Sequence, residues 1–485
     1  MRSILIHISI IALLLGFCSG AYADGGALAA GESALFELIN QARENPRAMA
    51  GSIGMDPEEV AAGLGDVLTN GLPPLTLNEG LRAAASARAD STLQECFYSG
   101  ESSDGRTLAR RIADAGYMAV ETGESIGIVA FTNFIEPEEA ARLLFEEMFR
   151  GEVDPDRTEP RTILNPDLEE IGIALGTGTL RLGRLSYNIY VVACDFGAGA
   201  DVAGVQLLSL INQARTNPLE VAASLGVDTR QLLADFPEMY GILTEGLPPL
   251  AFDARLYRAA RGHTLDMLEA GYYSRDSRDG RTYEDRIREA GYEAVDSGEA
   301  VGIACRSICE ETREAPALFF RRIFTNELKG LEPGEMTILN PLLKEAGIAI
   351  AGGTSVPLGG ICGDEMILLT ADFGSEETSG LFLSGVTYVD ENGNGLYDAG
   401  EGAPAAVTVN GPDEMIYSLR SGGTGYFFLP LGDAAGQYGI TALMEDGREF
   451  AQSVVIGEES VQVFIGAPSP EEGTEPPETG IAPPE

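Results

Sequence analysis

The residues with the clearest chemical signature lie near the C-terminal end of the chain, in the stretch from Asp390 to Glu401. Oxygen-bearing groups fill positions 1, 3, 5, 7, 9 and 12 of this stretch. They are the side chains of Asp390, Asn392, Asn394, Asp398 and Glu401 and the backbone carbonyl of Leu396. Calcium takes about six to eight oxygen ligands, and glycine at position 6 permits the sharp turn of such a loop. A hydrated Asn-Gly turn is the alternative, but the complete ligand set predicts a calcium site.

Strand-like segments flank this loop, so it is not part of a helix-loop-helix sensor. Short alternating strands separated by turns predict a small β-sandwich over residues 379–466. The module resembles the calcium-loop β-sandwich repeats (SdrD B-like, Cna-B-like) of bacterial surface proteins, with 425–431 as the typical later strand. That resemblance implies that calcium stiffens a stalk or an adhesive module. The tail, 467–485, is rich in proline and glutamate and is expected to be disordered.

The preceding part of the chain is a duplicated unit. Seven short motifs occur once between residues 38 and 197 and again, in the same order, between 210 and 374. They are Leu-Ile-Asn-Gln-Ala-Arg, Gly-Leu-Pro-Pro-Leu, Asp-Gly-Arg-Thr, Ala-Gly-Tyr, Gly-Glu, Ile-Leu-Asn-Pro and Asp-Phe-Gly. The offset of about 175 residues is too long for a solenoid repeat and indicates two globular domains, at 32–198 and 203–375.

Each copy combines several helices with late strands. An opening helix with apolar residues at helical spacing stops at Asn45-Pro46 in the first copy, and the second copy repeats the pattern. Further helices are predicted at 81–93, 106–115 and 137–149, and at 256–268, 283–290 and 316–324. Strands are predicted at 171–175, 187–194, 346–351 and 366–371. This pattern indicates an α+β fold in which helices cover a short sheet.

The ordered motifs resemble the CAP (SCP-type, cysteine-rich secretory and pathogenesis-related) family in its exported bacterial form. The family fold is an α-β-α sandwich, and its central cleft typically gathers two histidines and two glutamates able to hold a divalent cation. Matched by position, the first histidine is replaced by Gly100 and Arg275, and the second by Glu159 and Gly334.

One family glutamate survives in each copy, as Glu124 and Glu299. The other corresponds to Glu146 or Glu147 in the first copy, where the second has Arg321 and Arg322. Zinc prefers imidazole and thiolate ligands, so both clefts are predicted to lack the metal tetrad and any catalytic residue. Glu124 and Glu299 are expected instead to accept hydrogen bonds from loop amides.

Histidine is almost absent from this chain. Beyond the N-terminal segment only His263 occurs, and its counterpart in the first copy is Arg88. His263 falls on a predicted helix outside the family cleft, so we expect a capping or core role. Without imidazole, general-base chemistry near neutral pH would lack its usual side chain.

The chain is strongly acidic, with 75 Asp and Glu against 32 Lys and Arg and a net charge of −43. Such a charge repels phosphate backbones and anionic membranes, which argues against nucleic-acid binding. Residues 1–23 form a predicted signal peptide, with Arg2, an apolar run and a small-residue cleavage site at 21–23. Lipoprotein processing at Cys18 is the alternative. No other stretch is apolar enough to span a membrane.

Five cysteines follow the leader, and export would permit disulfides. Cys96 and Cys194 both belong to the first copy and are predicted to pair. Cys305 and Cys309 could close a short disulfide, which leaves Cys362 free or intermolecular.

These features favour an exported, non-catalytic binding or surface-interaction protein with two degenerate CAP domains and a structural calcium module. Its partner would be an extracellular protein, a glycan or a lipid. Two alternatives use the CAP clefts, namely a metal-dependent hydrolase or protease and a carrier of an apolar ligand.

Overall fold

The computed structural model describes residues 17–20, 25–56, 65–95, 105–154, 157, 159–182, 184–305, 314–330, 336–354, 365–377 and 380–468. Its strands form four sheets, one in each duplicated unit and two in the C-terminal module. Among these residues, none of the helices is both long enough and apolar enough to cross a bilayer.

The first unit is an α-β-α sandwich. Its elements are β1 (Phe17–Gly20), α1 (Gly25–Glu44), α2 (Pro46–Ser52), α3 (Gly65–Asn70), β2 (Thr76–Leu77), α4 (Glu79–Glu95), α5 (Leu108–Asp114), β3 (Ala119–Phe131), α6 (Pro137–Glu152), β4 (Glu170–Leu182) and β5 (Leu185–Gly199). Helices α1 and α6 share one hydrophobic core with one face of the sheet, and α4 packs on the other face. Strand β1, inside the predicted leader, pairs with the edge of β4.

The second unit repeats this arrangement. Its elements are α7 (Val202–Thr216), α8 (Pro218–Ser224), α9 (Thr229–Asp235), α10 (Tyr240–Glu245), β6 (Ala251–Phe252), α11 (Ala254–Ala270), α12 (Tyr283–Glu289), β7 (Asp296–Cys305), α13 (Ala315–Glu327), β8 (Glu345–Thr354) and β9 (Glu365–Ser375). The strand order β6-β8-β9-β7 matches β2-β4-β5-β3 of the first unit. The predicted α+β sandwich is confirmed in both copies.

The C-terminal module is built from strands alone apart from short turns. They are β10 (Leu381–Asp390), β11 (Ala405–Asn410), β12 (Ile416–Ser421), β13 (Tyr426–Gly432), β14 (Gly436–Met444), β15 (Glu449–Ile456) and β16 (Val461–Pro468). Two sheets, ordered β13-β10-β16 and β12-β11-β14-β15, enclose a core that includes Leu383, Val407 and Ile440. The candidate calcium loop follows β10 directly.

The predicted helices are present, but several short elements and two long strands, β3 and β7, were not predicted. The Asn45-Pro46 stop separates α1 from α2, because the Asn45 side chain accepts the amide of Ala48 and Pro46 begins the next helix. Strands β3 and β7, by contrast, were absent from the prediction. They run beside the central strands β5 and β9 and carry Glu124 and Glu299, which places these glutamates on strands rather than in loops.

The predicted Cys96–Cys194 disulfide is wrong. Cys194 is a free thiol buried on β5, inside the apolar core of the first unit, and burial raises the pKa of its thiol. Cys96 lies outside the described residues, as do Cys309 and Cys362. Cys305, at the end of β7, is disulfide-bonded.

One buried arginine ties together three of the repeated motifs in each unit. Arg43 donates from Nε to the carbonyl of Pro73 at 2.8 Å, and its terminal nitrogens donate to the carbonyls of Ile163, Asn165 and Leu168 at 2.9, 3.0 and 3.0 Å. In the second unit the equivalent bonds run from Arg215 to the carbonyls of Pro248, Ile338, Asn340 and Leu343. Both arginines are 1% exposed. The opening helix, the Gly-Leu-Pro-Pro turn and the Ile-Leu-Asn-Pro loop are therefore joined at one guanidinium.

This clamp predicts a large loss of stability when the guanidinium is removed. Arg215→Met should lower the free energy of unfolding by about 3 kcal/mol or more, because four carbonyls lose a buried donor. Denaturant unfolding of the full chain measures the effect, with the exposed Arg230→Met as the matched control. Equal stability of the two variants would contradict the assignment.

Candidate functional site

The surviving family glutamates lie on β3 and β7, facing a second carboxyl group. Glu124 pairs with Asp195 across β3 and β5, and Glu299 pairs with Asp372 across β7 and β9. Residues directly opposite in an antiparallel pair project from the same face of the sheet. Each cleft therefore contains a carboxyl pair on its floor.

A buried arginine neutralises each pair. In the first unit, Arg111 of α5 donates to Glu124, and Nε of Arg88 lies 3.6 Å from a Glu124 oxygen. In the second unit, Arg286 of α12 donates to Glu299 and also to the hydroxyl of Ser277 at 3.1 Å. The expected hydrogen bonds from loop amides are therefore wrong, because these glutamates sit within strands whose amides are already paired.

Each carboxyl pair is expected to share a proton. Among the described residues, neither oxygen of Asp195 or of Asp372 receives a hydrogen bond from an N–H or O–H donor, and a proton shared with the neighbouring glutamate would satisfy them. Burial, and then the neighbouring glutamate, raise the pKa of Asp195 to about 8 and that of Asp372 well above its ordinary value. Burial also raises the pKa of Glu299 to about 7, against the opposing effect of Arg286.

His263 occupies the position of Arg88 but does not reach the carboxyl pair as a ligand. It is 1% exposed, and Nε2 lies 2.9 Å from the carbonyl of Ser274 in the loop that follows α11. Burial lowers its pKa, so the ring is neutral and donates to that carbonyl. The expected structural role fits this position, and the histidine fastens the loop to the helix.

The positions of the lost family histidines contribute no ligand set. Arg275 and Glu159 are exposed, while Gly100 and Gly334 lie outside the described residues. Glu146 accepts from Arg142 one turn earlier on α6, and Arg322 donates to the carbonyl of Ile303 at 2.9 Å. Within the described part of the chain, no three histidine, cysteine, aspartate or glutamate side chains converge to hold a metal ion.

Two buried glutamates shape the cleft but were missed by the sequence analysis. Glu327, at the end of α13, accepts the amides of Thr337, Ile338 and Leu339 at 3.0, 3.0 and 2.6 Å. Glu152 of α6 accepts the amide and the hydroxyl of Thr162 at 2.8 and 2.7 Å in the same way. They stand 175 residues apart, which is the offset between most of the repeated motifs. That common offset is the sequence signal from which the two glutamates could have been identified as an equivalent pair.

All predicted calcium ligands lie in one folded loop. Asp390 accepts the amides of Gly393, Asn394 and Gly395 at 2.8, 3.2 and 2.9 Å. Gly393 and Gly395 have φ of 70° and 78°, which favour glycine. Asn392 fills position 3 of the loop. The amide of Leu396 donates to the Asn394 side chain at 2.7 Å, which fixes the peptide just before the one that bears the position-7 carbonyl.

The remaining ligand side chains meet inside this loop. Nδ2 of Asn392 and of Asn394 lie 2.8 and 2.7 Å from one oxygen of Asp398. The two oxygens of Glu401 accept the amides of Glu391 and Asp398, both at 2.9 Å. The three carboxylates of the loop do not themselves converge as a ready ligand set, and rotation of either carboxamide would turn its oxygen toward Asp398. This donor set of carboxylates, amides and a carbonyl suits a hard cation.

The carboxyl pair predicts a specific pH dependence. The pKa of Glu299 is raised in the folded state. Its contribution to the free energy of unfolding is therefore fully present below its pKa in the unfolded chain, near 4.5, and is lost as the pH rises through about 7. In Asp372→Asn the neighbouring negative charge is gone, so the loss of unfolding free energy between about pH 5 and pH 8 should shrink by about 1.4 kcal/mol or more. Denaturation at both pH values measures it, with the exposed Asp276→Asn as control. An unchanged slope in Asp372→Asn would contradict a shared proton.

Comparisons with known proteins give one family match. The profile of the cysteine-rich secretory protein family, CAP, matches residues 36–196 and 208–327. No curated protein matches the chain.

Solved structures similar to this chain include two bacterial proteins. One is an extracellular protein containing an SCP domain from Bacillus anthracis, at 14% identity over 41% of this chain and 57% of that one, with a TM-score of 0.20. Another is an outer surface protein from Borrelia burgdorferi, at 17% identity over 37% of this chain and 99% of that one, with a TM-score of 0.22. This chain thus spans little more than half of the first. On the strength of the profile match to both copies, the chain belongs to the cysteine-rich secretory protein (CAP) family.

Proposed function

We propose that this protein is an exported, non-catalytic binding protein, in which two CAP domains serve as rigid recognition units and a calcium-binding β-module supports them. One observation carries the proposal. In both units the remaining family glutamate is engaged by a buried guanidinium and lies opposite a second carboxyl group; the Glu299 side chain is 0% exposed and that of Glu124 is 14% exposed. Glu299 is therefore closed to a substrate, and Glu124 is held by two arginines.

The chemistry of the clefts supports a binding role over hydrolysis. A zinc hydrolase needs about three protein ligands and an open coordination position. Here Arg88 or Arg286 faces the carboxyl pair, and a cation placed beside that arginine would be repelled. Two positions that hold a histidine and a glutamate in the family are exposed arginines in the second copy, Arg275 and Arg322. Their positive charge suits contact with a partner rather than metal binding.

Among the described residues, the apolar cavity between the domains gives little support to carriage of a lipid. An apolar cavity of about 180 Å³ lies where the three domains meet, lined by Met118, Phe252 and Phe427 among others. Ligand pockets usually measure about 300 to 1,000 Å³. This cavity is small for a fatty acyl chain and lies outside both clefts, so a protein or glycan partner is the proposal.

The loop after β10 would hold calcium through Asp390, Asn392, Asn394, Asp398, Glu401 and the carbonyl of Leu396. Bound calcium would supply positive charge at a place where carboxylates crowd together. Burial raises the pKa of Glu401, and the negative charges of Asp398 and Asp390 raise it further. The raised pKa reflects the crowding of these carboxylates. Extracellular calcium modules bind at about 10⁻⁴ to 10⁻³ M, in keeping with export through the predicted leader.

Calcium is therefore expected to stabilise the full chain. At a free concentration about one hundred times the Kd, stability should rise by about 2.7 kcal/mol, because the ion binds only the folded loop. Differential scanning calorimetry with calcium or with chelator measures the shift in Tm. Glu401→Gln should abolish it, and Glu458→Gln, an exposed carboxylate of the same module, should retain it. A wild-type Tm indifferent to millimolar calcium would refute the calcium site.

Zinc should not bind to the CAP clefts. Purified full-length protein, equilibrated with zinc and dialysed, is expected to carry substoichiometric zinc by elemental analysis, because the clefts lack imidazole ligands. Glu124→Gln and Glu299→Gln should leave the zinc content unchanged. One zinc per CAP domain, lost in these variants, would overturn the non-catalytic proposal in favour of a metal-dependent hydrolase.

A further inference from the structure

The calcium-loop module is seated directly on the second CAP domain. Gln213 of α7 makes two hydrogen bonds to the backbone of Tyr397, accepting its N–H at 2.9 Å and donating to its carbonyl at 3.1 Å. Tyr397 lies within the loop, between Leu396 and Asp398, which supply ligand positions 7 and 9. A side chain of the CAP domain thus fixes the backbone between two of the calcium ligands.

Apolar and polar contacts extend this junction. The Tyr397 side chain is 1% exposed, and its ring centroid lies 5.7 Å from that of Tyr388 and 6.3 Å from that of Phe464. Tyr397 and Tyr388 belong to the hydrophobic cluster that forms the core of the second CAP domain. The neighbouring Asn212 donates to the Gln462 side chain of β16 at 2.8 Å. The loop is therefore part of the interface between the two domains.

The first CAP domain provides an internal comparison, because the same helix there carries no module. Gln41 of α1 corresponds to Gln213 and is exposed. Glu37 and Ser33 are exposed where the second copy has Ser209 and Val205, which are buried. The second copy has thus lost a charge and gained an apolar residue on the face that the module covers.

Electrostatics would favour a cation at this junction. The loop that Gln213 holds carries three carboxylates, Asp390, Asp398 and Glu401, within twelve residues. Like charges close together repel one another, and a bound divalent cation would offset that repulsion.

We propose that calcium acts as a clamp between the second CAP domain and the β-module, so that ion binding and docking strengthen each other. The proposal rests on the calcium site proposed above. Coupling between two equilibria is reciprocal: what docking adds to calcium affinity, calcium adds to docking. The ion would thereby set the orientation of the module relative to the CAP pair.

Calcium titration calorimetry on the full-length protein, after removal of bound ions with chelator, tests the clamp. Gln213→Ala should weaken calcium binding about fivefold or more, because an interdomain coupling of ordinary size is removed with the two hydrogen bonds. Gln41→Ala removes the same side chain from the equivalent position of the first copy and should leave the affinity unchanged. Should Gln213→Ala fail to fold, Gln213→Met removes both hydrogen bonds while keeping the length of the side chain and its neutral charge, and should weaken calcium binding in the same way.

Hydrogen exchange supplies the reciprocal measurement. Calcium should increase the protection of amides in α7 of the wild type and leave those of α1 unaffected, and Glu401→Gln should show neither change. If wild type binds no calcium, the calcium site and the clamp fail together. If it binds calcium with the same affinity as Gln213→Ala, the clamp is overturned and the calcium site stands.

Discussion

Each CAP domain depends on a buried guanidinium that collects backbone carbonyls from segments far apart in sequence. Loop carbonyls buried beneath a helix cannot be paired within a helix or a sheet, and leaving them without donors is costly. Arginine offers five N–H donors in a fixed plane, so a single side chain can serve several such carbonyls. Arg43 and Arg215 do this, and burial lowers the pKa of each to about 10 without removing the charge near neutral pH.

The same loop is held from its other side by a buried glutamate. Glu327 collects loop amides while Arg215 collects loop carbonyls, so the Ile-Leu-Asn-Pro segment is fixed through both kinds of backbone group. The segment is therefore fixed by side chains of the same domain. In the second unit the carboxyl pair of Glu299 and Asp372 is buried as well.

Much of this architecture could be predicted because the duplication shows which short motifs recur in the same order in both copies. The helix stop at Asn45-Pro46 and the α-β-α layering follow from local chemistry and from the ordered motifs. Strands β3 and β7 were missed because glycines interrupt their alternation, as in the segment 119–131, and because their pairing depends on strands far away in the sequence, such as Asn188 for Phe131 and Gly199 for Ala119. The Cys194 prediction was wrong because a small apolar thiol suits a core strand as well as a disulfide. The contact between the module and the second CAP domain could not be predicted from Asn212 and Gln213, because the first copy has the same residue types at Asn40 and Gln41. The informative difference was at Ser209 and Val205, where the first copy has Glu37 and Ser33.

A chain with a net charge of −43 must accommodate carboxylates that lie close together, and it does so in two ways. In the CAP domains the crowded carboxyl groups lie opposite each other and beside a buried arginine, as Glu299 and Asp372 do beside Arg286. In the module the contacts to Asp390 and Glu401 come from backbone amides, which orient carboxylates without supplying a full positive charge. The first arrangement neutralises its carboxyl groups from within the chain, whereas the second leaves oriented oxygens at a domain junction, where the described residues form no ion pair to Asp390, Asp398 or Glu401. A divalent cation would complete the second arrangement, and for that reason the ion and the docking of the module are expected to act together.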